Sequence, residues 1–423
     1  MIEKAHSQQH ALDLQLIKIR QRFPRPRISD VGSAVADALE RCRKHIGPGE
    51  SIAIAVGSRG IANLATIVRS VVMTLQSWNA HPFIVPAMGS HGGGTAEGQR
   101  AVLASYGITA DAMGCPIRSS METVELTPPD ARCRVYMDRY AYQADGVVLI
   151  NRVKVHTDFH GPYESGLVKL SVIGLGKHRQ ALEIHQYGVY GLRHLIPWTA
   201  EQILATGKIR LGLAIVENAY DETMHLEALG ADEIMVREPE LLNLARENMP
   251  SLPVDDIDVL IIDRMGKDIS GAGIDPNIIG RTYIRGEPEP ERPRIKAITV
   301  HDLTPASHGN AVGTGLADVI TRRLFDKIDL EATNQNVVTS TFFERGKIPL
   351  VAPDDATAFK WALRSCGPTP LSKARVLRIH DTLHLAELYV SEAVLEEVAQ
   401  RTDIEVVGSA TPVFDRDGTM QPF

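Results

Sequence analysis

The sequence has few cysteines and no long run of any one kind of residue. Its four cysteines, Cys42, Cys115, Cys133 and Cys366, are far apart and form no CxxC pair. That argues against a zinc knuckle or a disulfide framework and fits a reducing cytoplasm. The formal charge of -7, from 45 Lys and Arg against 52 Asp and Glu, includes no long basic run, so nucleic acid is not an expected partner. No apolar stretch approaches the ~20 residues of a membrane span, and the first residues, with Glu3 and Lys4, lack the apolar core of a secretion signal. Heptads and low-complexity tracts are also missing. The expectation is a soluble, unprocessed, cytoplasmic protein with no membrane partner, for which a small charged metabolite remains a suitable ligand.

What is present is a repeated strand, turn and helix. Ser51 to Val56 is a short apolar run that ends at Gly57-Ser58-Arg59-Gly60, followed by a helical pattern through Leu64, Val68, Val71 and Leu75. Pro82 to Pro86 then leads into Met88-Gly89-Ser90-His91-Gly92-Gly93-Gly94 and a helix carrying Val102 and Leu103. Ala144 to Ile150 reads as a third buried strand, and Ile209 to Val216 and Ile257 to Ile262 as later ones, with a helix over Glu238 to Glu247. A chain of 423 residues usually needs two cores. The expected fold is α/β, with two domains of mostly parallel sheet and an active-site cleft between them. The boundaries are residues 1–254 for an N-terminal catalytic domain and 255–378 for a C-terminal α/β domain. Residues 379–423 are expected as a segment returning to the first domain. Within the second domain the pattern predicts a strand at Ile298 to Val300, a charged, Pro-rich loop at Glu287 to Arg294, and helices near Leu316 to Phe325 and Ala356 to Ser365. Beyond these it predicts a strand at Val376 to Ile379, a helix near Ser391 to Gln400 and a strand near Glu405 to Val407.

Several clusters carry chemistry. Ser58 and Arg59 stand at a helix N-terminus, where unpaired amides favour a phosphate or carboxylate, although a turn with a salt-bridged arginine explains them equally well. The ending of a Walker A loop is missing there. Four glycines around His91 let a ligand approach the backbone while an imidazole projects from a strand end, a placement suited to proton transfer. The plainer reading is a surface histidine in a glycine turn. His156, His160, His178, His185 and His194 are five of the chain's 15 histidines in roughly a tenth of its length, without HExxH or another common zinc spacing. His178 and His194 read as solvated. Lys169, between Val168 and Leu170, has the apolar neighbours that lower an amine's pKa, with a snorkelling surface lysine as the alternative and Lys177 as a rival. Lys267-Asp268-Ile269-Ser270-Gly271 follows the strand that opens the second domain, and its charges suit a ligand cleft or a turn cap. Glu217 and Asn218 to Asp221 read first as a capped loop, and Trp78, Trp198 and Trp361 as core or cleft wall.

The order of these motifs resembles the lactate racemase family, which uses a covalently attached nickel-pincer nucleotide. That resemblance covers most of the chain. It places the family's arginine and histidine loops at Arg59 and His91, its second histidine at His156, its anchoring lysine at Lys169 and its nickel-binding histidine at His185. The 16-residue spacing from Lys169 to His185 reproduces the family's, which favours Lys169 over Lys177. The Lys267-Asp268-Ile269 segment is similar to the start of the family's second domain. The sequence departs from the family at Gly166-Leu167-Val168-Lys169, where a Gly-Gly-Arg-Lys run is usual, and in a longer interval from His156 to Lys169. Gly273 and Pro276 stand where the family has a substrate-holding glutamine and lysine.

The resemblance implies a racemase or epimerase of 2-hydroxy acids, and the changes at Gly273 and Pro276 point to a substrate larger or more polar than lactate, such as a sugar acid. Lys169, Arg59 and Ser58 would hold the cofactor, a nickel pyridinium-3,5-bisthiocarboxylic acid mononucleotide, and His185 would bind its nickel. His91 and His156 would be the acid/base pair. Arg59, Lys267, Asn277 and Arg281 would bind substrate, with Arg59 divided between phosphate and substrate. Cofactor-synthesis enzymes would be partners, and a homo-oligomer is left open. Two alternatives stand beside it: a metal-free two-base racemase, and a non-catalytic metabolite- or nickel-binding protein.

Overall fold

A computed structural model describes residues 12–57 and 60–423; Ser58 and Arg59 lie outside the described residues. The chain forms two compact units, residues 24–249 and a second built from its two ends, residues up to Phe23 and from Pro250 onward. The first strand, β1 (Gln15–Gln21), belongs to that second unit.

Residues 24–249 contain β2 (Ser51–Val56), β3 (His81–Pro86), the small hairpin β4 (Thr123–Glu125) and β5 (Tyr136–Asp138), then β6 (Gly146–Arg152), β7 (Ile209–Glu217) and β8 (Thr223–Gly230). The main sheet runs β3-β2-β6-β7-β8, parallel throughout except for the antiparallel edge strand β8. Its strands are unbroken apolar runs because both faces are covered. Ile52, Ile54, Val56, Ile84, Val148, Ile150 and Leu213 form one core with Val35 and Leu39 of the helix Val31–Glu40 and Ile67, Val68, Val71 and Leu75 of the helix Leu64–Ser77. The helix residues recur at the spacing that keeps one face inward, and each such fully buried side chain contributes roughly 1.5–3 kcal/mol.

Register fixes where the loops emerge. Val56 lies opposite both Pro86 and Ile150, and Ile150 opposite Leu213. The loops after β2, β3, β6 and β7 therefore leave the same carboxyl edge of the sheet, where open α/β proteins bind ligands.

The second unit adds β9 (Asp256–Ile262), β10 (Arg294–Val300), β11 (Val319–Thr321), β12 (Leu350–Ala352), β13 (Val376–Ile379), β14 (Glu387–Val390), β15 (Ile404–Val406) and β16 (Thr411–Pro412). The order is β12-β11-β10-β9-β13-β14-β1-β15, with β16 also on β1. The run from β12 to β13 is parallel, and β14, β1, β15 and β16 add antiparallel pairs. Leu14, Leu16, Val259, Ile261, Phe359, Val376, Val413 and Phe414 share its core.

Both units are α/β, as expected, with parallel pairing through all but the edge strand of the first main sheet and from β12 to β13 in the second. The chain divides between them differently. Residues after Ile379 do not return to the N-terminal unit: β14 pairs with β13, and Val413 and Phe414 bury their side chains beside Val259 and Ile261. The crossing is made at the other end of the chain, where β1 fills the place between β14 and β15. The helix expected over Leu316 to Phe325 is instead a 3-10 turn, the strand β11 and a one-turn helix, Arg322–Phe325. Asp318 interrupts the pattern there, accepting the backbone amide of Ile298 at 2.7 Å and an arginine, so the following residues extend beside β10.

Candidate functional site at the carboxyl edge of residues 24–249

His91 lies in the loop after β3, where Gly89, Gly92, Gly93 and Gly94 all have positive φ. A Cβ on Gly92 would stand 2.6 Å from the backbone of Gly98 and Gln99, so glycine is required for that turn. The loop rests on a polar network that the sequence did not announce. The fully buried Gln99 donates to the carbonyls of Gly89 at 2.9 Å and His91 at 3.3 Å. Its own carbonyl oxygen lies 3.4 Å from Nζ of Lys177, which also donates to the carbonyl of Pro86 at the end of β3. Lys177 is completely buried, adopts a left-handed φ of 57°, and is 3.1 Å from Oδ2 of Asp138 in an ion pair rather than an aligned hydrogen bond. Burial pushes its pKa down, and Asp138 opposes the shift. The rival lysine is thus built into the support of the His91 loop.

β6 delivers the next group. Asn151 donates to the carbonyl of Gly166 at 2.7 Å and fills the space beside Gly57, where a Cβ would be 2.8 Å from its Oδ1. Arg152 pairs with Glu217, and Glu217 accepts the amide of Ala62 at 2.7 Å, which ties the loops after β2, β6 and β7 together. Asn218 caps its loop, as expected, accepting the amides of Tyr220 at 2.9 Å and Glu222 at 3.2 Å. The His156 amide donates to the buried Glu164 at 2.6 Å. Glu164 also lies within 3.3 Å of His160 and 3.2 Å of Arg246, so His160 serves this anchor. On the ring of His156, Nδ1 accepts the amide of Asp158 at 3.0 Å and Nε2 meets the amine of Lys169.

Lys169 ends a first helical turn, Leu167–Lys169, that continues as a π-helical turn, Leu170–Gly174, and then the helix Lys177–His185. Wide turns of this kind recur at functional sites. Here the turn brings the segment against the His91 loop: the Gly89 amide donates to Gly174 at 3.4 Å, and a Cβ on Gly174 would be 2.7 Å from the carbonyl of Ala87. At the start of the segment the wholly buried Glu238, from the helix Ala231–Glu247, accepts the Val168 amide at 3.0 Å. Burial raises its pKa to about 7, against the lowering effect of the Val168 and Leu167 amides. Glu238 reads in sequence as one more helical surface glutamate, and only the glycine at 166 hints at a close approach.

His185, at the end of the same segment, donates from Nδ1 to the carbonyl of Ala181 at 2.5 Å. That bond fixes the tautomer and leaves the lone pair on Nε2, the arrangement of a metal-ligating histidine. Burial pushes its pKa below the ordinary 6.5, with Lys169 adding to the shift, so the ring is held neutral. His178 is exposed, and His194 is exposed with its ring 5.0 Å from that of Tyr190, in keeping with solvated roles.

His91, His156, Lys169 and His185 thus gather at one sheet edge. Lys267, Asn277 and Arg281 belong to the other unit. Lys267 donates to the carbonyl of Gly271 and to Asn336, and Asn277 bonds Asp275 at 2.9 Å. Arg281 is buried, with bonds to Asp318 at 2.8 Å and to the carbonyls of Leu316 and Ile295. Among the described residues no group of three or more His, Cys, Asp or Glu side chains is arranged to hold a metal ion, and no helix is long and apolar enough to cross a membrane.

Fold and site together define an α/β protein with an amine and three imidazoles at the carboxyl edge of a parallel sheet. No family model matches the sequence, and no curated protein does. Among solved structures the chain is similar to a protein from Thermotoga maritima, at 13% identity and a TM-score of 0.48, over 66% of this chain and 72% of that one. It is also similar to the lactate racemase apoprotein from Thermoanaerobacterium thermosaccharolyticum, at 14% identity and a TM-score of 0.45, over 87% and 88%.

Proposed function

We propose that the chain is a racemase or epimerase of 2-hydroxy acids whose reaction centre lies at the carboxyl edge of residues 24–249. The observation that carries this reading is the placement of Lys169 against His156, on the same helical segment that presents His185 with its Nε2 lone pair available. The order and spacing of the motifs support it.

The residues fit a nickel-pincer nucleotide in their chemistry: an amine for the covalent link at Lys169 and a neutral imidazole for the metal at His185. When bound, such a group supplies a hydride acceptor and donor, which no side chain can. The chain's own residues supply the proton transfers. β2 lies between β3 and β6. The strands that carry His91 and His156 are therefore two sheet spacings apart, roughly 10 Å. One histidine would take the proton of the substrate hydroxyl, and the other would return a proton to the same oxygen. Glu164, through the His156 backbone, and Gln99, through the carbonyl of His91, hold the two in place. Arg59 and Ser58 remain candidates for the phosphate.

The test is the intact mass of the full chain produced together with the cofactor-making enzymes, followed by peptide mapping and metal analysis. The expected result is an adduct on Lys169 and about one nickel per active chain. Full activity without metal would reject the reading. The placement of His91 and His156 also suits metal-free two-base chemistry, and the fate of the substrate hydrogen separates the two: hydride return retains it, whereas a two-base route exchanges it with deuterated solvent.

A further inference from the structure

The hydrogen bonds around His156 determine where its proton sits. A neutral imidazole has one N–H and one lone pair. Nδ1 accepts the amide of Asp158 at 3.0 Å, so the lone pair is at Nδ1 and the proton at Nε2. Nε2 meets Nζ of Lys169. A donor facing the amine meets a lone pair only in the uncharged form of Lys169, the form that attacks a carbonyl carbon. The surroundings of the amine are apolar: Lys169 is flanked by the buried Val168 and Leu170, and its segment starts on the buried carboxyl of Glu238. An ordinary lysine is unprotonated in only roughly one molecule in a thousand near neutral pH. An uncharged amine with an imidazole N–H beside it is the equipment of a carbonyl-condensing lysine.

We propose that Lys169 is a modification site for 2-oxo acids, forming an imine with them in the cofactor-less chain. The nitrogen attacks the keto carbon and a C–N bond forms. The keto oxygen leaves as water with the two amine hydrogens, His156 Nε2–H lending a proton to the departing oxygen and regaining one from the nitrogen. No oxidant or reductant is needed. The choice of a 2-oxo acid rests on the 2-hydroxy-acid reading, since it is the oxidised form of that substrate class; the reactive amine does not. The completely buried Lys177, engaged by Asp138 and Pro86, is not a competitor.

The experiment incubates the full chain, made without cofactor enzymes, with pyruvate or with propanal. Borohydride then supplies hydride to convert any imine to a stable secondary amine, and peptides are mapped. Pyruvate should label Lys169 at least about tenfold more than the exposed Lys44 and Lys373 of the same molecules, a ratio that needs no variant to fold. Lys169→Arg should abolish the label, and His156→Gln should slow it about tenfold. Pyruvate labelling at Lys169 no greater than at Lys44 and Lys373 overturns the proposal. Labelling by propanal alone also overturns the 2-oxo acid assignment. The two readings fail separately: nickel and a cofactor adduct on Lys169 without imine chemistry sink this inference only, and imine formation in a chain that never takes up the cofactor sinks the racemase reading only.

Discussion

Glu238 occupies the space that a side chain at Gly166 would need: a Cβ there would stand 2.4 Å from the Glu238 carboxyl carbon, while Oε2 accepts the Val168 amide one residue before Lys169. Because burial raises this carboxyl from 4.5 to about 7, the folded state holds its proton where the unfolded chain has lost it. Its contribution to stability is therefore greatest below about pH 4.5 and falls as pH rises towards about 7. Glu238→Gln keeps the acceptor and removes the charge, so the variant should gain on the parent as pH climbs through this window. Melting midpoints across the window measure it, and parallel curves for the two proteins would refute the assignment.

Gly166→Ala should cost about 1–3 kcal/mol by crowding, and Glu238→Ala should relieve part of that cost. A double-mutant cycle in urea reads the coupling, and strict additivity would count against the contact.

Lys177→Met leaves Asp138 as an uncompensated buried carboxylate and should destabilise by about 3–5 kcal/mol. It should also release the Gly89 to Gly94 loop, since Gln99 loses a partner. Hydrogen exchange of that loop, compared with a core variant of equal stability, separates loop release from general weakening.

His185→Ala should lose nickel yet keep the covalent adduct on Lys169 under the proposed function. Intact mass and metal analysis of the same sample report the two independently. Loss of both would mean that His185 is needed for the attachment as well.

Arg281→Ala removes bonds to Asp318, Leu316 and Ile295 and should cost about 1–3 kcal/mol of stability. If Arg281 serves chiefly this internal hold, denaturation shifts while the affinity for substrate changes little.

The strands that position the site were legible because a parallel strand buried on both faces writes itself as an apolar run, as in Ile52 to Val56 and Val147 to Ile150. β1 and β8 were not. β1 alternates Lys18 and Arg20 with buried residues, and its partners lie at the opposite end of the chain, so nothing local marks it. His91, His156, Lys169 and His185 were legible as residue types at spaced positions. Their supports were not: a buried Gln99, Glu164 or Glu238 has the composition of a surface residue, and only its surroundings in the fold bury it. Lys177 shows the same limit, since one polar partner, Asp138, turned a candidate reactive amine into a brace.

The split of the second unit between the chain's two ends has a consequence for synthesis. β1 leaves the ribosome ahead of residues 24–249, yet Arg20 meets its partner Glu387 only 367 residues later. Well before that interval ends, the whole of residues 24–249 has been made and is available to fold. A nascent chain therefore carries an unpaired strand, and the charges of Lys18 and Arg20 along it are the feature that discourages pairing with another molecule while it waits.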